Sequence, residues 1–230
     1  GALPGGIGWY RKHFTVPASL GNDDRLFITF DGVYMNSSVY INGHLLGTRP
    51  YGYISFQYDL TPYLRRGADN VIAVRVDNSD QPNSRWYSGC GIYRNVWLTT
   101  TSPLHIANWG VYVMPTTKNG RTWTVPVTVT LADENHEGQH PMVRNTLFDS
   151  NGKIVAQVAN GSTGQQMTVR NPRLWSPDAP NVYTLLTEII IDNKTVDTVR
   201  TTTAFRSFRF DAKTGFWLNG KNMKLNGVCD

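Results

Sequence analysis

The 230-residue sequence is short of several things that would have narrowed its chemistry at once. It has only two cysteines, Cys90 and Cys229, near opposite ends of the chain. A disulfide framework needs more of them, and a metal site needs closer spacing. Glutamate is also scarce for a chain of this length: Glu134, Glu137 and Glu188 are the full set. No apolar run approaches the roughly 20 residues that span a bilayer as a helix. No basic run exceeds two residues (Arg65-Arg66 is one), so the net charge of +5 is spread thinly and argues against a phosphate-tracking stripe. With 40% hydrophobic and 17% charged residues, however, there is ample material for packed cores.

What is present alternates. RLFITF places Leu26, Ile28 and Phe30 on one face; NVIAVRV does the same with Ile72, Val74 and Val76. TWTVPVTVTL sets Val125, Val127, Val129 and Leu131 against threonines, and VYTLLTEIII alternates Tyr183, Leu185, Ile189 and Ile191. Period two is the signature of half-buried strands. Pro126 cannot donate to a ladder, which predicts an edge position for its strand. Asn-Gly at 42–43, 119–120, 151–152 and 219–220 predicts hairpins, because both residues tolerate the positive φ of a type I′ turn. One short helix is expected in DLTPYLRRG, capped by Thr61 with Pro62 at its first position and stopped by Gly67. The fold class is all-β. Seams after Leu98, near TTTSPLHI, and after Phe210 divide it into a β-sandwich over 1–101, a second of about seven strands over 102–210, immunoglobulin-like in its layout, and a closing hairpin over 211–230.

Motifs that carry chemistry are few. HEGQH, His136 to His140, has the letters of a zinc-protease helix, but Gly138 inside it and Pro141 after it leave no helical face, so an inter-strand loop is expected. Glycoside cleavage needs two carboxylates about 5 Å apart for retention or further apart for inversion. Glu134 and Glu137 share that loop, Glu188 lies in an apolar strand, and Asp77 and Asp80 form the only close pair near aromatic residues. No catalytic set results. The concentration of amphipathic side chains is DNSDQPNSRWYSGCGIYRNVW, Asp77 to Trp97. Sugars stack their C–H faces on Trp and Tyr, while Arg, Asn and Asp meet hydroxyls. Two readings stand open: a sugar contact through Asp80, Asn83, Arg85 and Trp86, or pure architecture. In the latter, Ile92 and Trp97 fill the core, Tyr93 helps anchor the sandwich, Arg94 is a buried ion-paired strut, and Gly89 and Gly91 allow a tight turn.

Four stretches together resemble the front half of glycoside hydrolase family 2, the β-galactosidase and β-glucuronidase family. They are LPGGIGWYRKHF, SRWYSGCGIYRNVWL, RLWSPDAPNVYTL and GFWLNGKNMKLNGVCD, and in this order they cover essentially the whole chain. The resemblance implies a jelly-roll (galactose-binding-like) β-sandwich followed by an immunoglobulin-like β-sandwich, and then a hairpin leading into a (β/α)₈ barrel that carries both catalytic glutamates beyond Asp230. It also implies that strands preceding Gly1 would complete the first sandwich, leaving an exposed edge here. SRWYSGCGIYR is closer to the galactosidase branch; a β-glucuronidase or β-mannosidase relative and a stand-alone carbohydrate-binding module are the alternatives. Family galactosidases bring a loop, Asn78 to Arg85 in this sequence, to the substrate. Asn83-Ser84-Arg85 stands where an aspartate beside a bound sodium ion is found, which argues against sodium ligation by this loop. No cofactor is expected in this chain, with sodium or magnesium left to the full-length enzyme. Expected partners are a β-galactoside or oligosaccharide, the barrel of the same polypeptide and a second copy in a homo-oligomer, with no nucleic acid and no membrane. The composition suits an exported bacterial polysaccharide degrader, periplasmic or extracellular, though it also fits a cytoplasmic enzyme. The isolated chain is predicted not to hydrolyse an aryl β-galactoside; measurable turnover by the pure protein would contradict this reading.

Overall fold

A computed structural model describes residues 5–16, 20–80, 89–133, 138 and 140–227. The chain divides into two compact units, Gly1–Pro103 and Leu104–Asp230. In the first, β1 (Ile7–Thr15), β2 (Arg25–Phe30), β3 (Val33–Tyr34), β4 (Ser37–Ile41), β5 (His44–Arg49), β6 (Phe56–Asp59), β7 (Asp69–Asp77), β8 (Gly91–Ile92) and β9 (Val96–Thr101) follow in order. They form sheets β1-β7-β4-β5, β6-β2-β9 and β3-β8, all antiparallel. The alternating residues do what the pleat requires. Leu26, Ile28 and Phe30 from one sheet meet Val39, Ile41, Ile72, Val74 and Val76 from the other in a single core. Among the described residues β1 is the outer strand of its sheet, with Ile7, Trp9 and Tyr10 exposed.

The second unit contains β10 (Leu104–Val113), β11 (Thr116–Thr117), β12 (Thr122–Asp133), β13 (Met142–Phe148), β14 (Ile154–Asn160), β15 (Gly164–Arg170), β16 (Trp175–Ser176), β17 (Ala179–Pro180), β18 (Tyr183–Ile191) and β19 (Lys194–Thr203). A terminal set follows: β20 (Phe208–Asp211), β21 (Gly215–Leu218) and β22 (Lys221–Asn222). One four-stranded sheet runs β10-β12-β11 with β15 also on β12; the facing sheet runs β14-β13-β18-β19. Phe205 is fully buried between the rings of Trp123 (5.4 Å, 82°) and Tyr183 (4.8 Å, 85°), an edge-to-face trio at the centre of the core. Four residues further along β15 and β18, a buried polar chain crosses the sandwich. Thr187 donates to Asn145 Oδ1 (2.6 Å), Asn145 donates to Gln165 Oε1 (2.8 Å), and Gln165 donates to the Val143 carbonyl (2.9 Å). The fold is all-β; among the described residues no helix is long and apolar enough to cross a membrane.

Several local expectations are corrected. Pro126 lies on a central strand, flanked by β15 and by β10 and β11. In an antiparallel strand a residue's N and O point to the same neighbour. The Pro126 carbonyl accepts from Met114 N (3.4 Å), so the missing N–H faces the break between β10 and β11, where no ladder bond is lost. The expected helix is only a 3₁₀ turn, Thr61–Tyr63, and Thr61 does not cap it: its hydroxyl accepts from Leu26 N, while Asp59 Oδ1 accepts from Thr61 N (2.8 Å). Asn42-Gly43 and Asn219-Gly220 have positive φ at both residues, as type I′ turns require. At 119–120 and 151–152 only the glycine does, because those loops are longer. Asp192-Asn193, not anticipated, closes β18 onto β19 with φ of 48° and 60°. A register shift falls between Ile189 and Ile190; Ile190 is buried as well, and Ile191 packs partly buried against the core as expected. The strand expected to stop at Leu98 runs to Thr101, and Phe208–Asp211 belongs to the terminal three-stranded sheet. Phe205→Ala should cost about 3–5 kcal/mol through the cavity it leaves, read as a lowered urea midpoint in tryptophan fluorescence; an unchanged midpoint would remove Phe205 from the centre of the core.

Candidate functional site

Four segments of the first unit meet around β3. Val33 pairs with Ile92 and Tyr34 with Gly91, so the strand after residues 81–88 is anchored on β3. Asp77 N donates to the Met35 carbonyl (3.0 Å), and Asn36 donates from its side chain to the Asp77 carbonyl (3.3 Å) and from its backbone to the Pro50 carbonyl (3.2 Å). The segments 34–36, 50–54, 77–80 and 89–93 are thereby tied together.

Glycines set how close they come. Gly91 has φ of +92°, and a Cβ there would lie 2.0 Å from the Tyr10 hydroxyl. Gly52 has no room either, since a Cβ would sit 2.3 Å from the Tyr34 ring. Gly89, by contrast, has open space around it, so of Gly89 and Gly91 only Gly91 makes a tight approach. Tyr93 closes the arrangement by donating to the Gly52 carbonyl (2.8 Å).

The surface so formed is aromatic with a polar margin. Tyr51 and Tyr53 are each 58% exposed, and Ile54 and Tyr93 are exposed beside them. The Tyr53 ring lies 5.2 Å from that of Tyr34 and 5.6 Å from that of Tyr51. On the polar side, Asp77 accepts from the Ser79 hydroxyl (2.6 Å), the Ser79 backbone N–H (3.1 Å) and Arg75 (2.7 Å). These bonds, those of Ser79 foremost, hold its carboxyl below the ordinary aspartate value of 3.8. Asn78 is buried, donating to Cys90 Sγ (2.7 Å) and to the Gly6 carbonyl (2.9 Å).

Of the residues singled out from the sequence, Asp80 is exposed at the end of this polar margin. Asn83, Arg85 and Trp86 lie outside the described residues, as do Glu134, His136, Glu137 and Cys229. His140 is exposed between β12 and β13. Two architectural expectations change. Trp97 is 53% exposed on the outer strand β9, held by its indole N–H donating to Asp31 (2.9 Å), and Arg94 is exposed where a buried strut was expected. Val96 to Thr100 of β9 are exposed on both faces, and Arg94 lies in the connection between β8 and β9. Ile92 is partly buried against the core, and Tyr93 serves at the rim. Tyr34, Tyr51 and Tyr53 were missed; the closely spaced tyrosines of PYGYIS were the available signal. Glu188 is engaged by Arg144 in a two-bond pair across β13 and β18 (2.7 and 2.8 Å), which holds its carboxyl below the ordinary 4.5. Among the described residues no group of three His, Cys, Asp or Glu could hold a metal ion.

The model of the "Glycosyl hydrolases family 2, sugar binding domain" matches residues 4–102, and that of "Glycosyl hydrolases family 2" matches residues 104–206. The chain belongs to glycosyl hydrolase family 2. It is 49% identical to the β-galactosidase BoGH2A of Bacteroides ovatus, over 100% of this chain and 28% of that protein. It is 43% identical to a putative β-glucuronidase of Formosa agariphila, over 98% of this chain and 22% of that one. The crystal structure of a β-glycosidase from Bacteroides vulgatus superimposes with a TM-score of 0.93 at 44% identity, covering 99% of this chain and 29% of that chain. The family 2 chain thus spans between a fifth and a third of the length of these relatives.

In this family 2 sandwich the Asp77–Ser79 turn sets the direction of the segment leading to Asp80. Because the folded-state pKa of Asp77 lies below the ordinary value, its contribution is complete above that value and is lost as pH falls through the folded one. Carbon-detected NMR should find the Asp77 midpoint below 3.8, moving up in Ser79→Ala. A wild-type midpoint at or above 3.8 would break the argument.

Proposed function

We propose that the chain is the non-catalytic front part of a retaining β-galactosidase that removes terminal β-galactosides through a covalent glycosyl-enzyme intermediate. Its two sandwiches brace the catalytic barrel, and the segment Asn78 to Arg85 forms one side of the substrate pocket. The observation that carries this reading is the 49% identity with a β-galactosidase along the entire chain. The geometry supports it. The segment 77–80 is held at its base by Asp77 and Asn78, beside a tyrosine-rich surface suited to the C–H face of a pyranose. Two of the described carboxylates are engaged otherwise, Glu188 by Arg144 and Asp77 by Ser79 and Arg75. The acid/base and the nucleophile are assigned to the barrel.

A second reading, a β-glucuronidase, is favoured by the 43% identity with the Formosa agariphila relative. The full-length enzyme decides between them: aryl β-galactoside should be turned over with kcat/KM at least about tenfold above aryl β-glucuronide, a difference of about 1.4 kcal/mol in transition-state stabilisation. The reverse order would establish the second reading. A stand-alone binding module is tested separately by titration calorimetry of the 230-residue chain with galactose and lactose. Silence is expected; millimolar or tighter binding lost in Trp86→Ala would favour the module.

A further inference from the structure

The second unit has a cleft of its own, of about 390 Å³, at the end of the sandwich where the β13–β14 turn, the exit of β15 and the entry of β18 come together. That volume is within the range of small-molecule sites, roughly 300–1,000 Å³. Three cations line it: Lys153, Arg170 and Arg173, all exposed. None forms an ion pair with a carboxylate among the described residues. One carboxylate, Asp149, also lines the cleft, and it is bound to the turn: its Oδ1 accepts from the backbone of Asn151 (2.9 Å) and Lys153 (3.0 Å). The local balance therefore remains positive by two.

The backbone beneath each cation is fixed. Lys153 closes the Asp149 turn, where Asp149 N donates to the Lys153 carbonyl (2.9 Å) and Gly152 takes φ of +78°. Arg170 ends β15 opposite Thr122. Asn171, at φ of +47°, redirects the chain with its N–H on the Arg121 carbonyl (2.7 Å). Arg173 N then donates to the hydroxyl of buried Tyr183 (2.9 Å). The apolar part of the lining includes Ile154 and Val182, 53% and 43% exposed.

We propose that this cleft binds an acidic oligosaccharide, one whose pyranose units carry carboxylate or sulfate groups. Two guanidinium forks and an ammonium match such oxyanions, the arginines bidentately. The exposed isoleucine and valine suit the C–H face of the ring that bears the anion. The charge argument is independent of the barrel's substrate; the choice of a sugar as carrier of the anion rests on the glycosidase reading above.

Titration calorimetry of the 230-residue chain at low salt tests it. The probes are trigalacturonate, a chondroitin sulfate tetrasaccharide, neutral galactotriose and sodium sulfate. Both acidic oligosaccharides should bind, galactotriose should not, and Arg170→Ala/Arg173→Ala should weaken binding about tenfold or more, equivalent to at least 1.4 kcal/mol. Circular dichroism of that variant should be unchanged, since both side chains are exposed. Lys194→Ala/Arg200→Ala, which removes the same charge from β19, should bind as the wild type does. Failure of both acidic probes to bind, equal binding of galactotriose, or an unaltered double variant would overturn the site. An equal loss in the β19 variant would reduce it to diffuse charge, and sulfate binding as tightly as the oligosaccharides would remove the glycan. Binding of only one acidic probe would assign the anion as carboxylate or as sulfate. A parent enzyme inactive on galactosides would overturn the functional reading and leave this site standing.

Discussion

The structure depends on the pleat. Each strand of the two sandwiches must hide every second side chain, and it can do so only against another sheet about 10 Å away. Leu26, Ile28 and Phe30 against Ile72, Val74 and Val76 satisfy this in the first unit; Val125, Val127 and Val129 against Val143, Leu147 and Leu185 satisfy it in the second. Once the cores are set, the ends of the strands are fixed points. Loops hung from them, rather than the sheets themselves, are free to carry chemistry.

Backbone hydrogen bonds and close approach, more than side-chain salt bridges, organise the loop cluster of the first unit. Met35, Asn36, Pro50 and Asp77 exchange bonds that a slip in any one loop would break. Gly52 and Gly91 admit tyrosines at distances that no Cβ tolerates. Tyr34 at Gly52 and Tyr10 at Gly91 therefore occupy the space that a side chain at either glycine would take. The same economy governs the cleft of the second unit, where a turn, a positive-φ asparagine and a tyrosine hydroxyl hold the backbone under three cations.

Much of this was legible from residue order. Alternation identified the strands, and the Asn-Gly pairs at 42–43 and 219–220 identified two tight hairpins. The errors are physical in origin. A missing donor usually has to face solvent, which is why Pro126 alone predicts an edge strand; here it faces a break in the neighbouring strand. Residue type alone predicts a core position for Trp97, whereas both faces of β9 are exposed. The tyrosines of the candidate site were overlooked because they sit between strands, where no periodicity marks them.

Residue order alone identified the alternating apolar positions of the long strands that are buried, because that burial follows from hydrophobicity and a two-residue repeat, both local properties. It also carried the family, in four stretches whose order is retained along the chain. Which loops meet is settled by the folded arrangement of the sheets. Tyr34 with Gly91, Asn36 with Asp77, and Lys153 with Arg170 and Arg173 are far apart or separately patterned in the chain. Their proximity is a consequence of sheet order and register, which are set by long-range pairing that no local stretch encodes.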